Sequence, residues 1–146
     1  MKREEIKDEK MRILLDTNNL VSAAIAKGKS RNLLLKALAN EFELISSTEL
    51  LNELEDVISR SKFKLSSFEE YKFFNTLRKT VKLVKVKADF KIVKEDPDDD
   101  NVLNTAYDGK ADFIVTGDLD LLRLKEFEGI KIVTASEMLK ILERKD

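Results

Sequence analysis

Four carboxylates punctuate the apolar segments of this chain. Asp16 closes MRILLD, Glu53 lies in STELLNELEDVISR, Asp99 in EDPDDDNVLNTAY and Asp118 in DFIVTGDLDLL. The chain has no histidine and no cysteine. Imidazole acid–base catalysis and a Ser-His-Asp triad are therefore excluded, as is a zinc site built on thiolate or imidazole. Carboxylates, hydroxyls, amides and amines remain. An all-oxygen cluster suits a hard divalent cation such as Mg²⁺ or Mn²⁺, which can activate water and stabilise charge on a phosphoryl group. Whether one ion or two would be held is open at this level.

Strands that end on an acid and helices that begin with one must position these groups. From Met11 the pattern alternates. ILL at 13–15 is short and fully apolar, as a buried parallel strand would be, and Asp16-Thr17-Asn18 offers caps to a helix built from LVSAAIA. After Gly28, RNLLLKALAN reads as a second helix and FELIS as a strand. Ser47 or Thr48 caps a third helix running to about Arg60, and SFEEYKFFNTLRKT forms a fourth. VKLVKV alternates in part, with lysines that suit an edge strand. Asp96-Pro97 opens a helix that stops at Gly109. DFIVT is the next strand, LDLLRLKEF a short helix, KIV a strand and ASEMLKILERK the closing helix. Such alternation predicts an α/β fold with helices on both faces of a parallel sheet.

Ligands of such sheets bind outside the carboxyl ends of the strands. Asp16 stands at one such end and Asp118 just past another. Taken singly, each is explained by helix capping, because Asp is a favoured N-cap. Asp99 is not. At ~100° per residue it falls on the apolar stripe of its helix with Val102, Leu103, Ala106 and Tyr107, whereas Asp98 and Asp100 project roughly 90–110° to either side. Asp96 is the natural N-cap before Pro97. A carboxylate on a buried face needs a partner, and a cation is a candidate. Glu53 and Glu55 flank the buried face of their helix about equally, so periodicity does not choose between them.

The 146 residues suit one domain, and 42% hydrophobic residues suffice for a substantial core. Residues 1–10 read as a charged extension and 11–146 as a single domain. No apolar run approaches the ~20 residues of a membrane span. The N-terminus lacks a signal-peptide pattern, so a cytoplasmic protein with no membrane association is expected. Lys+Arg number 27 against Asp+Glu 28, a net charge of −1, so nucleic-acid contact must rely on local cations. Lys27, Lys29, Arg31, Arg60, Lys62 and Lys64 are candidates, although lysines this common mostly solvate a surface. Phe63, Phe68, Tyr71, Phe73 and Phe74 are candidates for base stacking, although their helical spacing points to core. The 38% charged residues and the absence of Gln and Trp resemble a thermophile's surface more than the Lys/Glu bias of a small AT-rich genome.

Together, LLDTNNLVSA, SSTELLNELEDVISRSKF, EDPDDDNVLNTAYDGKADFIVTGDLDLL and GIKIVTASEML resemble the PIN-domain nucleases, with a likeness running from Met11 nearly to the C-terminus. The similarity is nearest to the branch grouped with toxins of bacterial and archaeal toxin–antitoxin pairs. It implies a three-layer α/β/α sandwich with a central parallel sheet. It also implies that Asp16, Glu53, Asp99 and Asp118 are the catalytic, metal-holding acids, and that Thr17, Asn18, Thr116 and Asp120 line or support them. The implied activity is Mg²⁺- or Mn²⁺-dependent endonucleolytic cleavage of single-stranded RNA. The implied partners are that RNA, an antitoxin protein and a second copy in a homodimer.

Three other readings compete. A non-catalytic binding or scaffold module of the same fold would tolerate loss of an acid, yet all four are present. A phosphoacceptor signalling domain would show paired acids near the first strand and a lysine ending the last, where this chain has DTNN and KIVTAS. A Toprim-like enzyme would use Asp118 and Asp120 but needs a glutamate at the first strand end.

Overall fold

A computed structural model describes residues 10–60, 65–93 and 96–144. Most of the charged extension, together with Lys62, Phe63 and Lys64, lies outside the described residues.

The elements run β1 (Arg12–Leu15), α1 (Thr17–Ile25), α2 (Lys29–Leu38), β2 (Glu43–Ser46), α3 (Thr48–Arg60), α4 (Ser67–Thr80) and β3 (Lys82–Leu83). They continue with α5 (Pro97–Asp108), β4 (Phe113–Val115), α6 (Leu119–Leu122), β5 (Glu126–Phe127), β6 (Ile130–Val133) and α7 (Ala135–Arg144). The strands form one sheet in the order β3-β2-β1-β4-β6-β5. All neighbours are parallel except the β5–β6 pair. β1 and β4, the strands that lead into Asp16 and Asp118, are adjacent, with Leu15 opposite Val115.

Strand alternation divides the core into two layers. Ile13, Leu15, Leu44 and Val115 pack with α1, α2, α3, α4 and α7 on one face. Leu14, Ile45, Ile114 and Ile132 pack with Val102, Leu103 and Ala106 of α5 and Leu121 of α6 on the other. The result is a three-layer α/β/α sandwich, as the strand–helix alternation predicts. No described helix is long and apolar enough to cross a membrane.

The caps are local and readable. Ser47 Oγ accepts from Leu50 N at the start of α3. Ser66 and Glu69 form a capping box on α4. Thr134 and Glu137 exchange the same reciprocal bonds at α7.

Three expectations need correction. LDLLRLKEF is not one helix: α6 stops at Leu122, and Glu126–Phe127 pairs antiparallel with Ile130–Lys131. The turn between these strands places Glu128 at φ 51° and Gly129 at φ 82°, a left-handed pair suited to a tight hairpin. Secondly, VKLVKV forms a strand only at Lys82–Leu83. Beyond it, residues along α5 capture the backbone. Asp108 Oδ2 accepts from Lys87 N and Ala88 N, Asn104 brackets Phe90 through its N–H and carbonyl, and Asp100 Oδ1 accepts from Ile92 N and Val93 N. The spacing 100, 104, 108 is one helical stripe. It satisfies the N–H groups that a longer strand would have used. The stripe of α5 that faces the sheet is likewise narrower than expected: Tyr107 is exposed at its margin, its ring edge-on to Phe90.

Candidate metal centre

The acids gather at the carboxyl end of the sheet. Asp16 follows β1 and caps α1: its Oδ1 accepts from Asn19 N at 2.9 Å and from Asn19 Nδ2 at 2.8 Å. Its Oδ2 accepts a short hydrogen bond from Thr116 Oγ1 at the end of β4. Asn19 also donates to Val115 O and accepts from Ser30 Oγ. Asp16 is therefore buried and fixed from both sides of the β1–β4 pair. Thr116 extends the chain of bonds, accepting from Asp118 N at 3.0 Å. Asp118 in turn caps α6 through Asp120 N.

Asp96 and Asp99 come from the first turn of α5. Asp96 caps the helix by accepting from Asp98 N. Asp99 is only 7% exposed, and its Oδ2 has no hydrogen-bond partner among the described residues. Carboxylate oxygens of Asp96, Asp99 and Asp118 all lie within 4.8 Å of one another. Burial pushes the Asp99 carboxyl up to about 7, and the negative charges of Asp118, Asp96, Asp120 and Asp16 add to the rise. Burial also raises Asp16, against the lowering effect of its bonds from Thr116 and Asn19.

Glu53 and Glu55, equivalent by periodicity, are distinguished by what they touch. Glu53 is half-buried and accepts from Thr17 Oγ1 at 3.0 Å, whereas Glu55 pairs with Arg78 on the exposed side. Partial burial raises the Glu53 carboxyl; the bond from Thr17 opposes this, while Asp98 and Asp96 push it further up.

The structure thus brings Asp99 and Asp118 together, adds Asp96, and sets Asp16 close enough to act on Asp99 electrostatically. Asp16 and Glu53 stand outside the 4.8 Å group. Of the other residues singled out in the sequence, Thr17 touches Glu53 and Thr116 touches Asp16. Asp120 pairs with Arg123 at 2.7 Å, and Asn18 is exposed while its neighbour Asn19 holds Asp16. Sequence reasoning passed over Asp96 because its capping role explained it fully; the run of acids beside a proline was the available signal.

The donor set fits a hard divalent ion. Three carboxylates converge, and one buried oxygen among them has no hydrogen-bond donor among the described residues, a costly arrangement unless a cation or proton compensates. The PIN domain family matches residues 12–120, well over half of the chain. The chain belongs to the PIN-domain family. Comparison with curated proteins gave no match. The PIN match spans Asp16, Glu53, Asp96, Asp99 and Asp118, and stops at Asp120, just past the β4 acid. The fold is therefore a nuclease fold, of a kind that typically depends on metal, and it carries an acidic cluster at the expected end of its sheet.

Proposed function

We propose that this PIN domain is a divalent-metal-dependent endoribonuclease that cleaves single-stranded RNA, acting as the toxin of a toxin–antitoxin pair. The observation that carries the proposal is Asp99: a buried carboxylate with an oxygen unpartnered among the described residues, facing Asp96 and Asp118. A scaffold module would gain nothing from this repulsive arrangement.

In this reading Asp99, Asp118 and Asp96 hold Mg²⁺ or Mn²⁺ directly or through water, and Asp16 supplies fixed negative charge behind them. When bound, the ion lowers the pKa of water and stabilises charge on the phosphoryl oxygens. Glu53, held through Oε1 by Thr17, orients the attacking water and takes up its proton, a role that suits a half-buried carboxyl of raised pKa. Thr116 fixes the rotamer of Asp16 and the backbone of Asp118 together. The work takes place in the cytoplasm, with an antitoxin protein and a homodimeric assembly as partners. The exposed Phe68 and Tyr71 on α4 and Leu35 on α2 offer apolar surface for such contacts.

The test is incubation of purified protein with defined single-stranded RNAs in Mn²⁺ or Mg²⁺, with a chelator arm and a matched Asp99→Asn preparation. Metal-dependent cleavage absent from the variant is expected. Equal cleavage by both preparations would trace the activity to a contaminant and sink the proposal.

A further inference from the structure

Beside the acids lies a groove of about 300 Å³, between α1, the Thr116–Gly117 turn and the first turn of α7. Its floor is Asn19 and Thr116, the two side chains that hold Asp16. Its rim includes Asn18, Ser22, Gly117 and Ser136. None of the described residues lining it carries a charge, in a chain with 38% charged residues. The side chains of Asn18, Ser22 and Ser136 make no hydrogen bond to another described residue, so their donors and acceptors are available. A Cβ placed on Gly117 would meet nothing within 4 Å, which leaves the backbone there open to approach.

Resting on the ribonuclease reading, we infer that this groove seats one nucleoside of the RNA strand, next to the phosphate presented to the acids. The chemistry selects the occupant. A phosphate subsite calls for Lys, Arg or a metal, and none of the described lining residues supplies a cation. Walls that are largely carbon, Ala135 among them, with neutral hydroxyls and amides at the rim, match the apolar faces of a nucleoside and its polar edges. The volume lies at the lower end of the ~300–1,000 Å³ typical of small-ligand sites, enough for one such unit. Because Asn19 and Thr116 form both the floor of the groove and the mount of Asp16, a nucleoside seated there sits one side chain away from the acids.

The experiment fills the groove without touching an acid. Ser22→Leu combined with Ser136→Leu is compared with the unmodified protein in three measurements: binding of a fluorescent single-stranded RNA in Ca²⁺, hydrolysis of bis(4-nitrophenyl) phosphate in Mn²⁺, and thermal stabilisation by Mn²⁺. RNA binding should weaken about tenfold, the loss of one or two hydrogen bonds, while the other two readouts stay unchanged. Asn18→Ala, an exposed deletion that cannot disturb packing, should weaken RNA binding in the same direction. Undiminished RNA affinity in both variants, or no RNA affinity in the unmodified protein, overturns the inference. Absence of diester hydrolysis and of Mn²⁺ stabilisation in the unmodified protein would instead refute the metal-dependent nuclease reading, and weaker RNA binding by the filled variant would still support the groove.

Discussion

Asp99 and Asp118 face one another with carboxylate oxygens no more than 4.8 Å apart, and neither is paired with a basic side chain among the described residues. The two acids come from different layers of the chain, one from a helix and one from the end of a strand. Only folding forces them together, so folding must supply what keeps them there.

The first consequence is a pH-dependent stability of the metal-free protein. Asp99 is raised from the ordinary aspartate value to about 7. Between these values the folded chain keeps a proton that the unfolded chain releases, so the contribution of Asp99 to stability is full below the ordinary aspartate range and is lost as pH rises through about 7. Asp16 and Glu53, both raised, act in the same sense. Melting in a chelator should shift downward from pH 5 to pH 8, and Asp99→Asn should flatten the slope. A Tm that climbs over that interval would contradict the assignment.

Asp99→Asn itself should abolish both RNA cleavage and stabilisation by Mn²⁺, with no loss of metal-free stability. In the unmodified protein, ion at about 100-fold over its Kd adds about 2.7 kcal/mol, a rise of several degrees in Tm. The variant should show none of that rise. A metal-free Tm several degrees lower than the parent's would mark Asp99 as structural instead.

Asp96 combines a cap with a place in the cluster, and two substitutions separate the roles. Asp96→Ser preserves an oxygen that can accept from the helix N–H groups, so the fold should match the parent while Mn²⁺ affinity falls at least about tenfold. Asp96→Ala should show the same metal defect and lose about 1 kcal/mol of stability as well. Isothermal titration with Mn²⁺ and urea melts read the two effects independently. Retained affinity in Asp96→Ser would confine Asp96 to capping.

The bonded stripe on α5 predicts the opposite pattern. Asn104 is buried, accepts from Phe90 N at 2.8 Å and donates to Phe90 O at 3.3 Å. Asn104→Ala should cost about 2 kcal/mol, because it strands two backbone groups. Metal-induced stabilisation should persist, since this side chain does not enter the acidic group. Urea unfolding with and without Mn²⁺ checks both halves, and loss of the metal response would show that the stripe also governs the site.

Most of the architecture was legible because long periodic segments with clean caps leave few alternatives. α1, α3 and α5 carry Asp16, Ser47 and Asp96 as caps, and the strands leading to Asp16 and Asp118 are short apolar runs. The inward placement of Asp99 followed from helical geometry alone. Illegibility began where tertiary contacts decide. Leu-rich LLRLKEF satisfies a helical pattern, but only the fold reveals that Phe127 returns to pair with Ile130. Glu53 and Glu55 are symmetric on a wheel, and the hydroxyl of Thr17, 36 positions away in sequence, separates them. Asn18 and Asn19 are adjacent, so which one turns back to Asp16 depends on the path of α1. Asp96 was hidden by a sufficient local explanation.

The two outermost strands of the sheet, β3 and β5, span two residues each, at Lys82–Leu83 and Glu126–Phe127. Ribbons so short present too few main-chain groups to template a foreign strand. Among the described residues, neither edge of the sheet therefore offers a strand long enough for a second polypeptide to extend it. A peptide inhibitor conceived as an added strand has nowhere to zip on.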